Sequence, residues 1–270
     1  MRRASGFTLI ELVMVIVLLS IVSLISVRFV SLSMEGAIDT ANRQRLGMAA
    51  GIVSEQISRE LRAALPGSVR TGAGGQCIEF FPIHAASTYI QGEGSFESER
   101  ALNEFNARPF SGNTDGAEHV VVYPYGESSV PKELYTVGET RAEFDRVEDP
   151  DTTDGEVTIF LKSSHSFPET SPQRRVHLVT DPVTLCQDGR FLFRYSEYGV
   201  ATSVARRTSG SREVVATPLV NEPPENRLEF TFAPPNQQRN GAVTFEFSLS
   251  ARDSEETLDV FQEVQVRNVP

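Results

Sequence analysis

The sequence predicts an α+β protein in which one long N-terminal helix packs on a larger, antiparallel, β-rich region. Three observations predict it. Residues 7–27, FTLIELVMVIVLLSIVSLISV, are apolar almost throughout and hold a single ionisable side chain, Glu11. Residues 28–65 continue with apolar positions at three-to-four spacing, the mark of a helix with one buried stripe. Beyond Pro66-Gly67 the period drops to two. The expected divisions are a basic leader at 1–6, an apolar helix at 7–27, its amphipathic continuation at 28–65 and a β-rich region at 66–270.

The apolar helix comes first. At about 1.5 Å per residue it spans roughly 30 Å, the thickness of a bilayer's hydrocarbon core. A secretory signal peptide would have a shorter core and a small-residue cleavage site, and no Ala-x-Ala pattern follows here. A lipoprotein signal needs a nearby cysteine, whereas the first is Cys77. A plain membrane anchor fits the length but gives no reason for Glu11, whose carboxylate costs about 2.5–3.5 kcal/mol at a bilayer's centre. Ser20, Ser23 and Ser26 share one face, and such small residues permit close helix packing.

In the continuation, Ile38, Ala41, Ala49, Ile52, Val53, Ile57, Leu61 and Ala64 form the expected buried stripe, with Asp39, Arg43, Arg59 and Arg62 opposite. This half is expected to cover the sheet's apolar face. Pro66-Gly67 stops the helix. Residues 67–76, GSVRTGAGGQ, read as a flexible link, lacking the Gly-Lys-Ser/Thr ending of a phosphate-binding loop.

Strands are then expected at 77–83, 119–125, 133–137, 142–147, 157–161, 175–180 and 190–195, with a polar stretch of weak helical or loop character between 84 and 116. The C-terminal third alternates most cleanly. Leu228, Phe230 and Phe232 form one strand, while Val243, Phe245, Phe247 and Leu249 form another. The latter pairs with a strand carrying Leu258, Val260, Val264 and Val266 as a hairpin with one apolar face.

Little chemistry is legible. His84, His119, His165 and His177 lie far apart without metal-ligand spacing, so no metal or other cofactor is expected. DPDTTDG, at 149–155, is rich in oxygen ligands, but its glycine misses the position an EF-hand demands. No GxSxG elbow is present, and no enzyme activity is expected. The net charge of −11 disfavours nucleic acid as a partner. Arg174-Arg175 and Arg206-Arg207 read as solvated strand ends, with a local basic patch as the alternative.

Ser5-Gly6-Phe7-Thr8-Leu9-Ile10-Glu11-Leu12, behind the basic MRRA, resembles the N-terminal signal of type IV prepilins and type II secretion pseudopilins. The resemblance implies cleavage between Gly6 and Phe7 by a prepilin peptidase, and methylation of the new Phe7 amine. It implies that Glu11, four residues on, pairs with that amine on a neighbouring subunit during filament assembly. Pairing removes much of the cost of two lone charges in hydrocarbon. The family's major pilins often break this helix with a proline, whereas none occurs here before Pro66. The tip pseudopilin typically lacks the glutamate present here as Glu11.

RRVHLVTDPVTLCQDG at 174–189, RFLFRYSEYG at 190–199 and VQVRNVP at 264–270 resemble the large minor pilins of mannose-sensitive haemagglutinin (MSHA) pili. That implies a low-copy subunit that initiates or caps a pilus for surface attachment. Its implied partners are prepilin peptidase, other minor and major pilins, and the inner-membrane assembly platform. A secretion pseudopilin and a pilin-anchored DNA-uptake or adhesion module are the alternatives. Arg2 and Arg3 are expected to stay in the cytoplasm, with 7–27 crossing the inner membrane and everything beyond residue 28 in the periplasm. That oxidising compartment favours a Cys77–Cys186 disulfide, closing a loop of about 110 residues; two unpaired buried thiols are the alternative.

Overall fold

The structure is a computed structural model that describes residues 8–92, 95–124, 132–135, 140–148, 155–220, 228–235, 240–251 and 256–266. The chain divides into two compact units, Met1–Ala49 and Ala50–Pro270. Helix α1, Leu9–Arg62, runs through the boundary as a single element of 54 residues. In the first unit its large apolar side chains, from Leu9 to Met34, are all exposed. Helical hydroxyls bond backward within the helix: Ser20 Oγ donates to the Ile16 carbonyl at 2.7 Å and Thr40 Oγ1 to that of Gly36 at 2.8 Å. Such bonds satisfy a polar side chain without water.

In the second unit Ala50, Val53, Ile57 and Leu61 are buried. Glu60 accepts from Arg194 Nε at 3.1 Å, tying the helix to the sheet. The buried stripe therefore differs from the expected one. Ile38 is 57% exposed and Ile52 68%, while Ala50 joins the core. One residue of offset turns a helical side chain by about 100°, enough to carry Ile52 off the docked face.

Past Arg62 the chain becomes extended one turn earlier than expected. Leu65 N donates to the Phe81 carbonyl at 2.7 Å and Ile83 N to that of Ala63 at 2.8 Å. The helix end is thus stitched to a strand pair before Pro66 is reached.

The remaining elements are β1 (Arg70–Gly72), β2 (Cys77–Phe80), β3 (Ile83–Thr88), β4 (Ala101–Ala107), β5 (His119–Val122), α2 (Lys132–Tyr135), β6 (Arg141–Glu148) and β7 (Val157–Ser166). They continue as β8 (Arg175–Val179), β9 (Val183–Asp188), β10 (Phe191–Ser196), β11 (Ser211–Ala216), β12 (Glu229–Ala233), β13 (Gly241–Ser250) and β14 (Thr257–Val266). Among the described residues they form three sheets, ordered β1-β2-β9-β10-β11, β12-β13-β14 and β3-β8-β5-β6-β7-β4, with antiparallel pairing throughout. The α+β class is as predicted.

One antiparallel ribbon joins two of the sheets. β2 pairs with β9 and β3 with β8, and the register set by Cys77↔Cys186 carries on through Ala86↔His177. The crease falls at Pro82 and Pro182, which lack the N–H a continuous ladder needs. A segment near β11 ties in the third sheet: Val220 N donates to the Ser248 carbonyl at 2.8 Å and Leu219 N to that of Arg190 at 2.9 Å.

Two apolar clusters cover the six-stranded sheet. Val120, Val122, Val176 and Leu178 face Phe96, Phe105 and Phe167. On the other face Val121 and Val179 meet Leu65, Phe81, Leu134 and Tyr135. Where a strand is expected at 133–137, the described residues form the short helix α2, which buries Leu134 and Tyr135.

Candidate functional site

Thr8 caps α1. Its carbonyl accepts from Leu12 N at 3.2 Å, and its N–H and Oγ1 donate to Glu11 Oε2 at 3.0 and 2.9 Å. Glu11 N returns a longer bond to Thr8 Oγ1 at 3.4 Å. This reciprocal arrangement is a capping box, and a carboxylate in the first turn also complements the helix dipole. The Thr-x-x-Glu spacing announces it, a signal that the reading of Glu11 as an intermolecular partner passed over. Gly6 and Phe7 lie outside the described residues, as do Asp149 to Asp154 of the acidic run.

Cys77 and Cys186 sit directly opposite each other on β2 and β9, 4.2 Å apart at Cα and joined by a disulfide. Gln187 N donates to the Gln76 carbonyl at 3.1 Å, so the cysteines occupy the close, non-hydrogen-bonded kind of pair.

Beside the disulfide, cross-strand register aligns Arg70, Glu79, Thr184, Tyr195 and Arg212 in one row across β1, β2, β9, β10 and β11. Residues directly opposite in a sheet share a face. The long connection between β10 and β11 lies over that row as a strap. Arg70 donates from Nε to Glu79 Oε2 at 2.6 Å and from Nη2 to the Ala201 carbonyl at 2.6 Å. Its guanidinium also lies 3.4 Å from the centre of the Tyr135 ring. From the strap, Tyr198 O–H donates to Glu79 Oε1 at 2.8 Å, and Arg207 Nη2 donates to the same oxygen.

Glu79 is fully buried. Two guanidiniums and the Tyr198 and Thr184 hydroxyls compensate its charge, as a buried carboxylate requires. Burial raises the Tyr198 phenol's pKa, and the Glu79 carboxylate adds to it. A Cβ at Gly72 would collide with the Val204 carbonyl, and one at Gly210 with that of Ser196, so both glycines permit the strap's close approach.

A second polar cluster gathers His119, Arg141 and Asp181. His119 Nε2 lies 3.1 Å from Asp181 Oδ1, and Arg141 Nη1 lies 2.9 Å from His119 Nδ1. Both contacts are met by a neutral ring that donates from Nε2 and accepts at Nδ1. The hydrogen bond with His119 holds the Asp181 carboxyl below its usual range. Arginine stands where an acyl-transfer triad has its serine or cysteine nucleophile, so the cluster is not such a triad. His84 and His165 lie elsewhere, on β3 and β7. Among the described residues no group of His, Cys, Asp and Glu is placed to hold a metal ion.

Residues 1–27 match the family model described as the prokaryotic N-terminal methylation motif. The N-terminus therefore carries a prepilin-type motif. The motif indicates a type IV pilin or pseudopilin precursor processed by prepilin peptidase. α1 is long and apolar enough to cross a membrane, and its apolar window is not covered by the rest of the protein. Helix and motif together fit an inner-membrane-anchored pilin. No curated protein and no solved structure matches the chain.

Proposed function

We propose that the chain is a minor pilin of an MSHA-like type IV pilus, similar to the biogenesis protein MshO, acting to initiate or cap the filament. The methylation motif at 1–27 carries the reading. The exposed apolar half of α1, which needs lipid or other helices to cover it, supports it. Residues 1–6 are the cytoplasmic leader, cut after Gly6, and Phe7 becomes the methylated terminus. Residues 7–27 span the inner membrane and later enter the filament, 28–65 continue the helix, and 66–270 form the periplasmic unit that chooses partners. Removing Arg2 and Arg3 with the leader takes the net charge from −11 to −13.

Glu11 then has two successive roles. Thr8 engages its Oε2 in the free subunit. A carboxylate has about four lone-pair sites, leaving room for the Phe7 amine of a neighbour. Glu11→Ala should leave the protein inserted and processed but poor at assembly, measured as pili and as incorporation of this subunit. Normal incorporation would refute the role. Gly6→Ala should block maturation, read as an unchanged precursor mass.

The same motif serves secretion pseudopilins. A deletion that abolishes surface pili but spares exoprotein release supports the pilus assignment; the reverse outcome assigns the chain to secretion.

A further inference from the structure

Arg206 and Arg207 are adjacent on the strap, yet they do different things. Arg207 is bound to Glu79, while Arg206 pairs with Asp188 at the end of β9. Both line a cleft of about 470 Å³, whose wall also includes Asp188, Tyr195 and Arg212. Three guanidiniums thus converge in a chain of net charge −11.

Their charges are not all compensated. Glu79 already answers Arg70 as well as Arg207, and Asp188 answers Arg206. Arg212 ends the cross-strand row, and among the described residues it has no carboxylate partner. Its guanidinium is instead held 4.4 Å from the centre of the Phe193 ring. Stacking of that kind orients the planar donor fork while leaving its edge open. Arg207 is committed elsewhere, since its Nη2 also donates to the Ser203 carbonyl at 2.9 Å, which leaves Arg212 as the open guanidinium. Thr208 and Ser209 add hydroxyls to the rim.

We infer that this cleft binds a single small oxyanion, a carboxylate, sulfate or phosphate group, with Arg212 as its principal contact and Arg206 flanking it. Such a group accepts two parallel N–H bonds from a guanidinium, the strongest neutral-pH match for an unpaired arginine. The site lies on the β-rich unit and does not depend on the pilus assignment.

The test uses the full-length chain in detergent micelles. Its unfolding midpoint is followed against sodium sulfate, sodium phosphate and sodium glucuronate, each compared with sodium chloride at equal ionic strength. A saturable rise is expected with at least one of the three, and the lowest half-saturating concentration identifies the preferred oxyanion. Arg212→Ala should raise that concentration at least tenfold, Arg212→Lys should raise it less, and Arg108→Ala, at an exposed arginine away from the cleft, should behave as wild type. Sulfate and phosphate also stabilise proteins generally by exclusion from their surfaces, an effect that Arg212→Ala leaves intact. Equal responses in wild type and Arg212→Ala, or no saturable response to any of the three, would overturn the site.

Discussion

Residues 9–38 and 50–61 belong to the same helix and treat apolar side chains in opposite ways. In the first stretch, residues from Leu9 through Ile38 keep their large apolar side chains exposed. In the second, Val53, Ile57 and Leu61 are buried and Glu60 is tied to Arg194. Helix propensity is similar in both, so it does not decide the difference. What decides is whether another element of the same chain supplies a covering surface. The uncovered stretch is long and apolar enough to cross a membrane.

The carboxylates repeat the contrast, since Glu11 is exposed on the helix and Glu79 is enclosed in the sheet. Glu79→Ala would leave Arg70 and Arg207 without their shared carboxylate in a dry site. It should cost about 3–5 kcal/mol, read by denaturant unfolding of the full chain in micelles; a loss below about 1 kcal/mol would mean the strap holds without its ionic core.

Next in size is a pH effect confined to the second unit. Burial, with Arg175 nearby, lowers the His177 imidazole's pKa to about 4. The unfolded chain, titrating at about 6.5, takes up the proton first, so this group's contribution is lost as pH falls from about 6.5 to 4 and then levels. The loss is roughly 3 kcal/mol. His177→Leu should flatten that part of the stability curve; an unaltered curve would remove His177 from the account.

The smallest effect draws the boundary of the docked face most finely. Val53→Ala should destabilise by about 2 kcal/mol, whereas Ile52→Ala should stay within about 0.5 kcal/mol. Similar losses at both positions would show that the helix docks on a wider face than the structure gives it.

Local patterns were the legible part. The apolar run, the stop near Pro66 and the alternation of β13 with β14 all follow from neighbouring residues, and Val243 meets Val264 as one apolar face requires. β9 escaped because Val183 to Gln187 are buried on both faces, which erases alternation. β11 escaped for the opposite reason: it is a mostly exposed edge strand. The cluster around Glu79 was out of reach, because Arg70, Tyr198 and Arg207 come from distant stretches that only the sheet register and the strap bring together. The Thr8–Glu11 cap is written in plain local spacing, Thr-x-x-Glu at a helix start.

The creased ribbon has a mechanical consequence. A pull on the lower end of α1 reaches the β-rich unit through the backbone bonds of Ala63 and Leu65, which land at the fold between β2 and β3. From there the load divides between two sheets and runs past the crosslink at Cys77 and Cys186. The Ala63 and Leu65 bonds precede β1, an outer strand, along the chain, so they take up tension before that strand does.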